Sequence, residues 1–392
     1  MKIAILELHT HGECLYSFCK AFAGSEHQLT IYVNHSIYQE LSGESFIGQF
    51  DWKIKKPNVS TCKFLKRNIN SINKHEIVFI ATVESDFRAY AKINFKPVTI
   101  LRIHNANTWL NAQKSINISF SPYSLYKDMS YFIRIFLMGL DWYYKNNILH
   151  KVDYLTFPSS SISQYVQKQG LTANYKVGSQ IPLAVYDSKF LKEPSIDSIS
   201  ITVPGGIDER RRDYKLLLKV WKQIVPEFKK VVQLNFLGKT KGKYGKDIEK
   251  AFDYLQTDNF IFKNFIKRIP QFEFNSVMKK TDILLSPILL DTRYKIYHEK
   301  YGYTKIAAIE SDIMRYGKPV ILHSEYPINK TFAPIIDQYD SSEKLAELLL
   351  SYINEDLLFV RTKNIEQLLE NYKPEKIRKK IIYFFSSAVQ KK

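Results

Sequence analysis

Short, nearly unbroken apolar runs alternate with stretches of helical period along almost the whole chain, and the pattern starts afresh once. Residues 2–8, 29–33, 76–82, 97–103 and 153–158 form the first set of runs. A strand covered on both faces reads as a solid apolar run rather than an alternating one. Between the runs, Leu15, Phe18, Cys19 and Phe22 recur at helical spacing, as do Phe87, Tyr90 and Ala91. Ser159–Ser161 has the hydroxyls of a helix start, predicting a helix to about Gln169. Strands that alternate with helices build a parallel sheet with helices on both faces.

Residues 176–192 lack period, and 193–198 are polar with a proline, so the linker is placed here. The pattern then restarts, with strands over 198–203, 231–238, 260–265, 282–287 and 319–323. Helices are expected over 214–224, 246–255, 271–280, 304–316 and 341–354. Two α/β domains follow, each a Rossmann-like, doubly wound sheet: residues 1–192 and 193–372. Residues 373–392 form a basic helix expected to cross back to the first domain. The length of 392 residues agrees with two domains at about 100–200 residues each.

Composition narrows the partners. Apolar residues make up 45 % and charged residues 24 %, which excludes a disordered chain. The three cysteines have neither zinc nor disulfide spacing, which fits a reducing, cytoplasmic location. Four apolar residues, Ile3 to Leu6, precede Glu7, so no secretory leader is expected. The longest apolar region, 131–144, is interrupted by Arg134 and Asp141 and is too short to span a bilayer. Its broad apolar face, and the run at 376–385, are the two places where a membrane surface would be touched. The net charge of +18 suits phosphate-bearing ligands, anionic lipid or nucleic acid. It is spread over both halves rather than gathered in one stripe, and the 26 Tyr and 25 Phe read as core and sugar-stacking residues. Nucleic acid is therefore not the expected partner.

Ligands of open α/β sheets bind beyond the carboxyl ends of strands. Three first-domain loops lie there: 9–13 with His9, His11, Gly12 and Glu13; 82–85 with Glu84; and 104–107 with His104 and Asn105. Imidazoles and carboxylates so placed bind hydroxyls or move protons. In the second domain Pro204-Gly205-Gly206 follows a strand and precedes Arg210-Arg211-Arg212. Glycines admit a phosphate close to the backbone, and arginine pairs with its oxygens. Neither a P-loop nor a dinucleotide fingerprint is present. The segment Tyr301-Gly302-Tyr303-Thr304-Lys305 reads as a loop feeding a helix capped at Thr304, whose first-turn amides and Lys305 would hold an anion. Ser311 and Asp312 follow two turns later on roughly the same face.

These pieces carry a resemblance. ITVPGGIDERRRDYKLLLKVW, LNFLG, FIFKNFIKRIPQFEFNSVMKKTDILLSPI and YGYTKIAAIESDIMRYGKPVIL follow one another like the second half of a GT-B glycosyltransferase, of the retaining, family 4-like group. VDYLTFPSSSISQYV and LRIHNAN resemble that fold's first half. The resemblance implies two Rossmann-like domains facing across a cleft. A nucleoside-diphosphate sugar, of UDP or GDP type, would bind the second domain and a glycan or lipid-linked acceptor the first. The reaction would be hexosyl transfer in cell-surface polysaccharide or glycoconjugate synthesis, at the inner face of the membrane.

Donor contacts would fall to Gly205, Gly206, Arg211, Arg212, Tyr303, Thr304, Lys305, Ser311 and Asp312. Arg212 takes the position of a diphosphate-binding lysine, and Ile207 that of its partner arginine. The Glu-x7-Glu positions fall on Thr304 and Asp312, so the first acid is replaced. His11, Gly12 and Asn105 would face the acceptor. His104 and Glu13 are the catalytic candidates: His104 positions sugar if the enzyme retains, as is favoured, and His11, Glu13 or His104 acts as base if it inverts. No metal and no cofactor beyond the sugar nucleotide is expected. The alternatives are a sugar-nucleotide epimerase of the same architecture, a basic nucleic-acid-binding protein and a scaffold without turnover.

Overall fold

The computed structural model of the chain describes residues 1–118, 122–265 and 269–392. A few residues of the quoted 260–288 stretch thus lie outside the described residues. The chain divides into two compact units: 1–185 with 293–306 and 372–392, and 186–292 with 307–371.

The first unit holds strands β1 (Lys2–Glu7), β2 (Gln28–Asn34), β3 (Asp51–Lys55), β4 (Ile77–Thr82), β5 (Val98–Arg102) and β6 (Tyr154–Thr156). They pair in the order β3-β2-β1-β4-β5-β6, all parallel. The apolar run Ile3 to Leu6 is fully buried, because helices cover both faces. The second unit holds β7 (Ser198–Pro204), β8 (Val231–Lys239), β9 (Phe260–Phe265) and β10 (Ile283–Ser286). A hairpin, β11 (Asp291–Tyr294) and β12 (Tyr297–Lys300), separates these from β13 (Val320–His323) and β14 (Ile336–Tyr339). The second sheet runs β14-β13-β10-β7-β8-β9, again all parallel. Each sheet therefore has the 3-2-1-4-5-6 order of Rossmann folds. The point where that order reverses lies between β1 and β4 in one and between β7 and β10 in the other.

Local chemistry sets the helix starts. The side chains of Ser60, Ser159, Asp213 and Ser341 accept hydrogen bonds from amides at the first turns of the helices they precede. The Tyr214–Ile224 helix buries Leu217, Val220, Trp221 and Ile224, and Trp221 packs among Phe252 and Phe260.

One expectation changes. The helix expected over 304–316 spans Ala308–Tyr316, with Ala307 at its start. Thr304 is not its cap, because residues 293–306 leave the second unit and join the first. The basic C-terminal helix, Pro374–Gln390, belongs to the first unit and buries Ile377, Ile381, Phe384 and Phe385. Phe384 lies so close to Gly178 that a Cβ there would meet its ring at 2.0 Å. The run 376–385 packs against protein through these four residues, while Tyr383 on it is exposed.

Glu310 sits at the start of the Ala308–Tyr316 helix, fully enclosed, and accepts a hydrogen bond from the Tyr326 hydroxyl. Burial pushes its carboxyl up to about 7. Between the ordinary carboxylate range and about 7, the folded chain holds a proton that the unfolded chain has released. Stability therefore falls as pH rises through this window, by on the order of 3 kcal/mol in all. Glu310→Gln keeps the acceptor and removes the charge. The variant is expected to melt higher than the parent at pH 8 and to lose that advantage at pH 5, as read by thermal denaturation.

Candidate functional site

The reversal point of the first sheet is built around a bulge. Leu6 pairs with Ile80 and Glu7 with Thr82, which leaves Ala81 as the extra residue. The Ala81 carbonyl accepts a hydrogen bond from Arg102 Nε at 3.2 Å and lies 3.1 Å from His104 Nε2. That nitrogen is also 3.2 Å from the Thr82 hydroxyl. Arg102 closes β5, is buried, and stacks its guanidinium over Phe79. Glu7 closes β1 with no exposed surface, and one of its oxygens accepts from the His9 amide. Burial raises its carboxyl, against the pull of His11, Thr82 and Arg102.

His11 lies flat on His104, with ring centroids 4.5 Å apart and planes within 5°. Its two nitrogens reach Glu13 at 3.1 Å and Glu84 at 3.2 Å. Burial disfavours its charge, but hydrogen bonds to Cys14, Glu13 and Glu84 outweigh that and hold the ring protonated above its ordinary range. Glu84 is the counterpart: despite its burial, His11 and Thr10 bring its carboxyl down to about 2. His104 goes the other way. Burial, then the charges of His11 and Arg102, hold it neutral with its basicity well below an ordinary imidazole. A charged ring thus stacks on an uncharged one.

The β11–β12 hairpin completes this site. Glu299 is fully buried and accepts from the Asn107 and Thr108 amides at 3.3 and 2.8 Å and from the Thr108 hydroxyl at 2.7 Å. It thereby caps the short Ala106–Leu110 helix from outside. Burial raises its carboxyl, opposed by Thr304, Thr108 and Lys305. The Ala106 amide bonds the Thr304 carbonyl at 2.7 Å, and Lys305 Nζ bonds the Asn105 side chain beneath the Tyr294 ring. At the hairpin turn Lys295, with φ 57°, donates to the Glu84 carbonyl at 3.0 Å. Lys145, buried between the Phe87 and Tyr297 rings, donates to the Thr108 carbonyl at 3.0 Å, and its burial brings it down to about 7.

The reversal point of the second sheet is a junction of glycines. Gly205 has φ +97°, and a Cβ there would meet the Arg212 guanidinium at 2.2 Å. Gly238 sits in an irregularity of β8, where a Cβ would meet the Gly205 carbonyl carbon at 2.3 Å. The Gly205 and Ile207 amides bond the Leu237 and Lys239 carbonyls at 2.9 and 3.1 Å. Arg212 thus lies flat on bare backbone. Its Nη1 donates to the Gly206 carbonyl at 3.3 Å, while its buried Nε has no hydrogen-bond partner among the described residues. The loop is fixed to the end of β10 by Asp213 N to Pro287 O at 2.8 Å and Leu289 N to Arg211 O at 3.0 Å. The Arg211 side chain is exposed, and Asp208 is held by Lys241 at 3.1 Å.

The structure thus gathers His11, Gly12, Glu13, His104 and Asn105 in the first unit and Gly205, Gly206 and Arg212 in the second. Ser311 and Asp312 are half-buried on the Ala308–Tyr316 helix of the second unit. Tyr303, Thr304 and Lys305 are parted from them and lie in the first unit. The Thr304 and Lys305 amides both bond the Lys300 carbonyl, so they are not the anion-binding helix start expected of them. Tyr303 packs edge-on to Tyr165. Glu7, Arg102, Lys295 and Glu299 were not singled out in the sequence. A charge closing an otherwise apolar buried run, as in IAILE and VTILR, was the available signal for the first two.

No protein-family model matches the chain, and no curated protein matches it by sequence. Solved structures do match it in fold. HepE from Anabaena, in complex with UDP-glucose, superimposes with a TM-score of 0.59 at 13 % identity, over 99 % of this chain and 100 % of that one. The pneumococcal O-GlcNAc transferase GtfA, in complex with UDP and GlcNAc, gives 0.58 at 11 % identity over 99 % of each chain. The UDP-GlcNAc 2-epimerase from Neisseria meningitidis, bound to UDP-GlcNAc, gives 0.51 at 13 %, over 99 % of this chain and 100 % of that one. The chain has the GT-B fold.

Because the folded state raises His11, its paired charge stabilises the protein fully below the ordinary imidazole range, and that contribution declines as pH rises from there to the raised value. At pH 8 both ring nitrogens of His11 are expected to carry protons in histidine-labelled nitrogen spectra. Glu84→Gln should lower the pH at which the ring gives up its second proton, and Glu13→Gln with Glu84→Gln should lower it further. A neutral His11 in the parent would contradict the pairing.

Proposed function

We propose that the chain is a glycosyltransferase that moves a sugar from a UDP- or GDP-type donor to a hydroxyl of a glycan or lipid-linked acceptor. The observation that carries this reading is Arg212, a guanidinium laid on Gly205 at the reversal point of the second sheet with a buried Nε that finds no acceptor among the described residues. A buried donor of this kind is costly unless a ligand completes it. Diphosphate oxygens do so, since arginine and glycine backbone suit them together. The fold likeness to proteins solved with UDP-sugars supports the same ligand.

In this reading Arg212, with Arg211, neutralises the charge that builds on the leaving nucleoside diphosphate. The Ala308–Tyr316 helix precedes a strand parallel to its neighbours, so it starts at the carboxyl edge, and its first amides, at Ala308 and Ile309, replace those of Thr304 and Lys305 as anion donors. Asp312, one turn in, accepts from the ribose diol. These groups make the transfer independent of a metal ion. The first unit takes the acceptor, with Asn105, His11 and Gly12 beside it.

His104 is held neutral and weakly basic, which suits a hydrogen-bond partner for a sugar hydroxyl better than a general base. The acceptor oxygen then bonds to C1 as the C1–phosphate bond breaks. The acceptor proton passes to the leaving phosphate, and the anomeric configuration is retained. Glu13 serves by holding His11 charged.

Thermal unfolding in the presence of UDP, GDP and their sugars tests this. One nucleotide at a hundred times its Kd is expected to add about 2.7 kcal/mol of apparent stability. Arg212→Ala and Asp312→Ala should lose that gain, whereas His104→Ala should keep it and lose transfer. No gain with any nucleotide would overturn the reading. Conversion of a bound sugar nucleotide into its epimer, with no acceptor product, would replace it with the epimerase.

A further inference from the structure

The helix Pro122–Phe132 continues into a wider π-helical segment, Ile133–Met138, and the pair is apolar on two sides. One side is used. Ile135 is buried, and Tyr131, Phe132 and Phe136 pack with it against Ile296 and Tyr297 of the hairpin. The other side faces outward. Tyr126, Met129, Ile133 and Leu137 follow one another at helical spacing and are exposed, Leu137 to 71 % and Met138, beside it, to 79 %. Past the kink at Leu140, Trp142 and Tyr143 extend the same exposed run. A helix apolar all round is stable in water only when its second face also has an apolar neighbour.

The charges around this face have one sign. Lys127 and Arg134 are exposed, with the Arg134 guanidinium over the Tyr131 ring. The acids of the segment are turned away: Asp128 is buried against Arg293, and Asp141 is half-buried, where desolvation raises its carboxyl. Aliphatic side chains, aromatic rings with polar edges and exposed cations together are the make-up of an element that lies in the boundary of a bilayer. Among the described residues no helix is long and apolar enough to cross a membrane, so the element would lie on it. A second copy fits less well. A two-fold contact would set each Lys127 and Arg134 near its own image on chains of net charge +18.

We propose that the outward face of residues 126–143 docks on an anionic lipid surface, with Leu137 and Met138 entering the acyl boundary and Lys127 and Arg134 meeting the headgroups. This surface does not depend on the transferase reading, and its test uses no nucleotide.

The full chain is mixed with vesicles of phosphatidylcholine alone and with phosphatidylglycerol added, and sedimented. Preferential binding to the anionic vesicles is expected, falling with salt. Leu137→Asp with Met138→Asp should weaken it about tenfold or more, and Lys127→Glu with Arg134→Glu should abolish the preference for anionic lipid. All four side chains are exposed, and unchanged melting of both variants confirms their folding. Trp142 reports independently. Its emission should shift to the blue and be quenched by brominated lipid in the parent, with the change absent from Trp142→Phe. Three results would overturn the proposal: no binding to either vesicle, equal binding by the parent and both variants, or a dimer in sedimentation equilibrium that Leu137→Asp with Met138→Asp dissociates.

Discussion

In a sheet whose strands all run the same way, every strand must be followed by a return across a face. All carboxyl ends then come to one edge, where the ladder of hydrogen bonds stops and backbone groups seek other partners. Both sheets of this chain obey that rule with the same strand order. At the reversal point of the first sheet the ladder is also irregular, by one residue at Ala81, and in the second sheet the irregularity at Gly238 falls one strand away, between β8 and β9. The freed carbonyl of Ala81 orients Arg102 and His104. The bend at Gly238 lets two backbones touch and gives Arg212 a flat seat. The chemistry of each site thus begins in main-chain geometry, and the charged side chains occupy places already prepared.

A buried carboxylate then decides the shape of the first site. Glu299 takes two amides and one hydroxyl from the segment that follows His104 and Asn105. Full burial makes its charge expensive, so the site tolerates it only with those donors in place. The same contact delivers Lys295 and Lys305 to the reversal point of the first sheet. Two cations encoded in the second half of the chain are thereby counted among the groups around Glu84 and Asn105.

Much of the fold was legible because ten of the twelve sheet strands are rich in apolar and β-branched residues, several of them unbroken apolar runs. The two that went unread, DWKIK and IDQY, are edge strands, β3 of one sheet and β14 of the other, and about half of their residues are charged or polar, which hides the apolar signal. The hairpin was hidden for a related reason. DTRY and YHEK carry charges whose partners, Asp128 for Arg293 and Thr108 for Glu299, lie 165 and 191 residues away in sequence. Local pattern therefore ran the Ala308–Tyr316 helix back to Thr304. The loops beyond the strand ends were found from topology, which named His11 and Gly205, and the resemblance to a glycosyltransferase fold singled out Arg212 and gave His104 its role. The state of each group was not legible. Whether an imidazole is charged depends on Glu84 and Arg102, which reach it from other strands.

The first unit is assembled from three separate stretches of the chain. Phe385, which reaches Phe79 on β4, lies in the last of them. During synthesis the first sheet must therefore wait, with one helix layer incomplete, while some two hundred further residues are made and the second unit forms. Vectorial folding here is not domain by domain. A chain interrupted anywhere between residues 306 and 372 would leave a first unit with its hairpin present and its terminal helix missing. Such a fragment exposes the apolar surface that chaperones and proteases recognise.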